Sequence, residues 1–160
     1  VTLPRIVTIG VYGRSEEEFF AALQKANVAL FCDIRRRRGV RGSEYAFANS
    51  QRLQERLREL GIEYRHVIEL SPSDTLRQSQ EAIDKASRVA RRQRTTLDPS
   101  FIEAYEQTVL KDFSPQAFLD SIPNTAKTIA FFCVERSPEA SHRTLVAQRF
   151  AEIGATVEHL

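Results

Sequence analysis

No stretch of this sequence is apolar for long enough to cross a bilayer, so no membrane partner is expected. The opening residues, Val1 to Ile9, lack the basic region and long apolar stretch of a secretion signal. Cysteine is scarce: Cys32 and Cys133 are the only two, too few for a disulfide framework. Both lie in apolar runs, which predicts reduced thiols in buried strands of a cytoplasmic protein. The three histidines, His66, His142 and His159, show no zinc spacing with them, and no metal is expected. A Walker-type lysine, a nucleophile elbow and a convincing dinucleotide fingerprint are also missing, and no cofactor is expected. Cys133 and Arg143 stand too far apart for the short loop in which a phosphatase cysteine and arginine share one phosphate. Internal repeats and low-complexity tracts are absent.

What is present fits one domain spanning residues 1–160. An apolar fraction of 42% and a charged fraction of 28% are ordinary for a globular chain. The net charge of +2 is too small to imply a nucleic-acid partner by itself. The kind of base says more, because 19 of the 23 basic residues are arginine. Arginine's planar fork suits phosphate and carboxylate and stacks on rings. Either a genome rich in arginine codons or anion recognition accounts for that bias, and placement must decide.

Arg5 to Val11 is a β-rich run that gives out at Gly10. Ser15 and Glu18 form a capping box for a helix with Phe19, Phe20, Leu23 and Ala26 on one stripe. Val28 to Ile34 is apolar almost without alternation, the mark of a central parallel strand. A charged, glycine-bearing loop follows over 35–49, then a helix over 50–60 stopped by Gly61. Ile62 to Ile68 alternates as a third strand. Residues 71–96 begin as loop and become a mostly polar helix. Asp98-Pro99 caps a further helix through Leu110, and a short one follows Ser114-Pro115. Thr128 to Val134 is a second doubly apolar strand. Pro138 opens a last helix to about Ile153, with Ser137 as its cap, and residues 155–159 make an edge strand. The pattern predicts an α/β, Rossmann-like, three-layer domain. Its mostly parallel sheet has about five strands in the order 3-2-1-4-5, with 71–121 as a helical insertion packed on it.

Ligands of such sheets bind outside the carboxyl ends of the strands, where Gly10, Asp33, Arg35, Cys133 and Glu135 would gather. Asp33 and Arg35, two apart, point to one side. They either close the sheet as an ion pair, or Arg35 holds an anion that Asp33 helps to orient. His142 continues the stripe of Ile153, Phe150 and Val146 back to the first turn of the last helix, beside Arg143. It either belongs to an anion site at that helix start or is satisfied by a carbonyl. Gly10 and Gly13 read as a tight turn, since Glu16, Glu17 and Glu18 would oppose a phosphate there. Arg36, Arg37, Arg38 and Arg41 form the clearest basic loop and are candidates for nucleic-acid contact, with Tyr45 and Phe47 in reach for stacking. The cluster Arg88, Arg91, Arg92 and Arg94 reads as a solvated face near a helix end.

Four motifs, TIG at Thr8–Gly10, D-x-R at Asp33–Arg35, G-I-x-Y-x-H at Gly61–His66 and C-x-E-x-x-P-x-x-x-H-R at Cys133–Arg143, arrive in the order seen in a known family. The chain resembles family 488 of the domains of unknown function nearly end to end. Carried onto this chain, the resemblance implies Asp33, Arg35, Cys133, Glu135, His142 and Arg143 as site residues. The usual histidine after TIG is Val11 here, the usual cysteine before His-Arg is Ser141, and a usual glycine pair is Ser71-Pro72. The family supplies a site but no reaction.

The expected function is therefore an enzyme, or a former one, for a phosphate-bearing ligand such as a nucleotide or nucleic-acid end. Arg35, Arg143 and Ser141 would hold the anion; Glu135, His142 and Asp33 would carry proton transfer and orientation. Cys133 and Gly10 would line the site. The rival expectation is a non-catalytic nucleic-acid-binding module built on Arg35–Arg41.

Overall fold

The computed structural model describes residues 2–160; Val1, the first residue of the expected domain, lies outside them. Five strands, β1 (Arg5–Ile9), β2 (Leu30–Asp33), β3 (Glu63–His66), β4 (Thr128–Phe132) and β5 (Val157–His159), form one sheet. All pairings are parallel, in the order β3-β2-β4-β1-β5. The helices are α1 (Glu16–Lys25), α2 (Ser50–Glu59), α3 (Asp74–Ala86), α4 (Pro99–Thr108), α5 (Pro115–Asp120) and α6 (His142–Glu152). The fold is thus the expected α/β class.

The expected order placed β1 beside β2, and the structure exchanges β1 and β4. Every residue of β4 is buried, whereas β1 begins at the half-buried Arg5. The most thoroughly apolar strand takes the middle, where neighbours cover both its edges and helices both its faces. Connections β1–β2 and β2–β3 run toward one edge, and β3–β4 and β4–β5 toward the other. Right-handed crossovers then put α1 and α2 on one face and α3 to α6 on the other. The aromatic core follows that division. Phe19 packs on Phe31 and Phe132 at 6.2 and 5.5 Å, while Phe118 and Phe150 pack on Phe131 at 5.8 and 5.2 Å.

The helical segment between β3 and β4 reaches the sheet only in part. Phe118 of α5 meets Phe131, but α4 rests on α6, with Tyr105 tilted 5.4 Å from the His142 ring. The last helix also differs from expectation. Residues Pro138–Ala140 form a separate 3-10 turn, α6 starts at His142, and its cap is Ser141 rather than Ser137. Proline suits the tight turn because its missing N–H is not needed there. Ile153, placed on the buried stripe by periodicity, follows α6 and is exposed; His142, Arg143, Val146, Ala147 and Phe150 are the buried residues. Among the described residues no helix is long and apolar enough to cross a membrane.

Candidate functional site

Because β2 and β4 are direct neighbours, with Asp33 opposite Phe132, the D-x-R and C-x-E motifs leave the sheet side by side. His142 joins them: its Nε2 donates to the Ile34 carbonyl at 2.9 Å. A carbonyl only accepts, so Nε2 carries the proton and the neutral ring keeps its free lone pair on Nδ1. Burial lowers the pKa of His142 and, although Glu135 opposes this, the ring is held neutral. The histidine is satisfied by a carbonyl, the second of its two expected roles, and it lines a pocket at the strand ends.

Asp33 and Arg35 form the expected pair in bidentate geometry. Arg35 Nε and Nη2 donate to Asp33 Oδ1 and Oδ2 at 2.9 and 2.8 Å. Oδ1 also accepts the Arg35 backbone N–H, and Oδ2 accepts the Tyr64 hydroxyl at 2.7 Å. With both oxygens engaged and no exposed surface, Asp33 sets the pose of Arg35 and lies outside the pocket lining. The third family-like motif serves the same pose. Tyr64 reaches Asp33, and His66 Nε2 donates to the Arg35 carbonyl at 2.8 Å. The Arg35 guanidinium lies 4.7 Å over the Phe132 ring, and its Nη1 is buried with no partner in the protein.

Glu135, three residues past the end of β4, lines the same pocket as Arg35. Its Oε1 accepts from Arg94 Nη2 at 2.8 Å and sits 3.6 Å from Arg91, while Oε2 is buried and unpartnered. Desolvation pushes its pKa up, but Arg91 and Arg94 overcome it and hold the group down to about 2. It is therefore a fixed negative charge and not a proton donor. Arg94 is itself anchored: Nη1 donates to Asp84 at 2.8 Å, and Asp84 accepts from Gln80 at 2.9 Å. Cys133 is buried, and burial raises its thiol to about 12, with Glu135 adding to the rise. It packs as a neutral thiol.

Arg143 is fully buried without a carboxylate partner. Its Nη1 donates to the Glu135 carbonyl at 2.6 Å and its Nη2 to that of Arg136 at 3.4 Å. It staples the turn after β4 and does not line the pocket, which separates it from the anion role expected of it. Ser141 caps α6 through the Arg143 N–H at 3.3 Å and also lies outside the lining. Gly10 belongs to the same staple, since a Cβ there would sit 1.9 Å from the Glu135 carbonyl oxygen. Val11, at the family's histidine position, is fully buried.

The resulting pocket is narrow, with a cavity volume of about 40 Å³, and is partly open to solvent. Arg35, Arg36, Arg37, Arg77, Arg91 and Arg94 line it against two carboxylates, Glu81 and Glu135. It borders a wider cleft that shares Arg35, Arg37, Arg77 and Arg91 and continues to Arg41 and Arg92. Of the basic loop, Arg36 is tied to the Pro72 carbonyl at 3.0 Å and Arg38 to the Tyr64 hydroxyl at 3.4 Å, whereas Arg37 and Arg41 are exposed. Tyr45 and Phe47 are buried and do not present stacking faces to a base. Arg92 instead lies 4.9 Å over Tyr45 and 5.2 Å over Tyr12.

Arg91 and Arg94 correct the solvated-face reading of their cluster; Arg88 alone keeps no contact of this kind. Arg77 and Gln80 were not foreseen at all. Their signal was slight: a mostly polar α3 whose buried residues, Gln80 and Asp84, stand one turn apart. Among the described residues no His, Cys, Asp and Glu group could hold a metal ion.

A family model, described as Domain of unknown function DUF488, matches residues 15–150. The span contains three of the four motifs and leaves out Thr8–Gly10. No curated protein and no solved structure matches the chain.

Proposed function

We propose a function from one premise: this chain belongs to DUF488, a family of domains of unknown function. The domain binds a phosphate-bearing small molecule, such as a nucleotide or nucleic-acid end, at the carboxyl ends of β2 and β4. One observation carries the reading. Arg35 lines the pocket in a locked pose, and its buried Nη1 has no partner. A buried charged donor left unmade is costly, and an anionic oxygen satisfies it. The excess of arginines over carboxylates in the lining gives such an anion a favourable field. As an enzyme, the domain would use His142 as the proton acceptor through Nδ1, because Glu135 is too weakly basic for that task.

A second reading, the nucleic-acid module, is favoured by exposed Arg37 and Arg41 along the outer cleft. Phosphate contacts from these two exposed arginines give a single-strand salt slope of only about −1.4. Calorimetry with a nucleoside monophosphate and a short single-stranded oligonucleotide, at low and high salt, separates the two. The pocket reading expects the monophosphate to bind and at least about tenfold loss in Arg35→Gln and Arg91→Gln. It also expects little change on charge reversal at Arg37 and Arg41. Binding of the oligonucleotide alone, abolished by that reversal and weakened by salt, supports the module instead. If neither probe binds the folded protein, both readings fall.

A further inference from the structure

We infer that the ligand of this pocket carries, besides its anionic group, a neutral hydrogen-bond donor that is received by Oε2 of Glu135. The inference rests on the pocket reading above and adds a requirement to it. Among the described residues three buried side-chain atoms lack a partner: Arg35 Nη1, Glu135 Oε2 and Arg143 Nε. The first two belong to residues of one pocket lining, and they are opposite in kind. Arg35 offers a charged donor, and Glu135 a charged acceptor.

Neither atom has a nitrogen or oxygen partner to turn to, and the Cys133 thiol beside Glu135 is only a weak donor. Arg35 is fixed by three hydrogen bonds to Asp33 and by the Phe132 ring below it. Glu135 is fixed through Oε1 by Arg94, which is held in turn by Asp84 and the Ala140 carbonyl. Protonation does not relieve Oε2, because Arg91 and Arg94 keep the carboxyl ionised against its desolvation. A simple anion would satisfy Arg35 and be repelled by Glu135. A ligand bearing both an anionic oxygen and an O–H or N–H satisfies both atoms together. The donor is neutral because an ammonium would have to sit beside Arg91 and Arg94. The ligand class is thus a hydroxylated or N–H-bearing phosphate monoester, not a bare phosphate or alkyl phosphate.

Hydroxyalkyl phosphates with two, three and four carbons, each paired with the alkyl phosphate in which methyl replaces hydroxyl, test this by calorimetry on the wild-type chain. At least one hydroxyl member should bind about tenfold tighter than its methyl isostere and than inorganic phosphate. In Glu135→Gln, checked for folding by thermal melting, that preference should fall below about threefold, because a neutral amide accepts more weakly than a carboxylate. If the phosphates bind but no hydroxyl member exceeds its isostere, the donor requirement is overturned and the anion site stands. If no phosphate binds wild-type protein, the pocket reading itself has failed, and this inference with it. The wild-type comparison is decisive even where the variant does not fold.

Discussion

Arg143 and Glu135 illustrate how differently two buried charges can be used at neighbouring positions. Arg143 spends its fork on the backbone carbonyls of Glu135 and Arg136. Glu135 keeps one oxygen unpartnered. Gly10 lets the staple close, because any side chain there meets the Glu135 carbonyl oxygen. Gly10→Ala should therefore destabilise the fold by about 2–3 kcal/mol, measured by urea unfolding against wild type, with the turn after β4 displaced. A cost below about 0.5 kcal/mol would show that this approach is not tight. At this scale the Asp33–Arg35 pair was legible, since two residues apart on a strand face one way. The job of Arg143 was not. Nothing local distinguishes an arginine that meets a ligand from one that meets the chain's own carbonyls.

Between α3 and α4 the chain forms a strap that supplies Arg91, Arg92 and Arg94. It leaves α3 through Arg88, whose φ of +58° lets Val89 N–H bond the Asp84 carbonyl at 2.8 Å. Arg94 then ties the strap to two carboxylates from different elements, Asp84 on α3 and Glu135 after β4. Arg94→Gln leaves Asp84 buried without its cation and Glu135 with Arg91 alone. Its cost should be about 3–5 kcal/mol in denaturant melts. The exposed Arg88→Gln should stay within about 0.5 kcal/mol. Equal effects would mean the Arg94 network adds nothing. Periodicity found the helices that bury apolar stripes. It misread this strap because the buried face of α3 is polar, and polar burial makes sense only once Glu135, 41 positions from Arg94, is beside it.

The charges buried around the strand ends give the whole molecule a predictable response to acid. His142 has its pKa lowered, chiefly by burial, so the unfolded chain takes up that proton first. Its contribution is complete above pH ~6.5 and is lost as pH falls through the lower folded value. His159, also lowered by desolvation, acts with the same sign. Glu135, ordinarily near 4.5 and here about 2, adds a second loss between those values, worth about 3 kcal/mol. Thermal melts should show a lower midpoint at pH 5.5 than at 7.5, and His142→Gln should flatten part of that difference. A midpoint independent of pH across this range would contradict the buried neutral imidazole. Fold class and motif order were readable at this scale. The position of β4 was not, since β1 and β4 are both short apolar runs and only their pairings decide which one lies beside β2.

With β4 in the middle of the sheet, β1 and β2 never touch as neighbouring strands. A nascent chain that has already delivered β1, β2 and β3 holds two separate pieces and no continuous sheet. Assembly waits for residues 128–132 to thread between them, and the arginine pocket comes into being at that same late step. For most of its synthesis the polypeptide carries its guanidinium groups in water, and they converge only in the finished molecule.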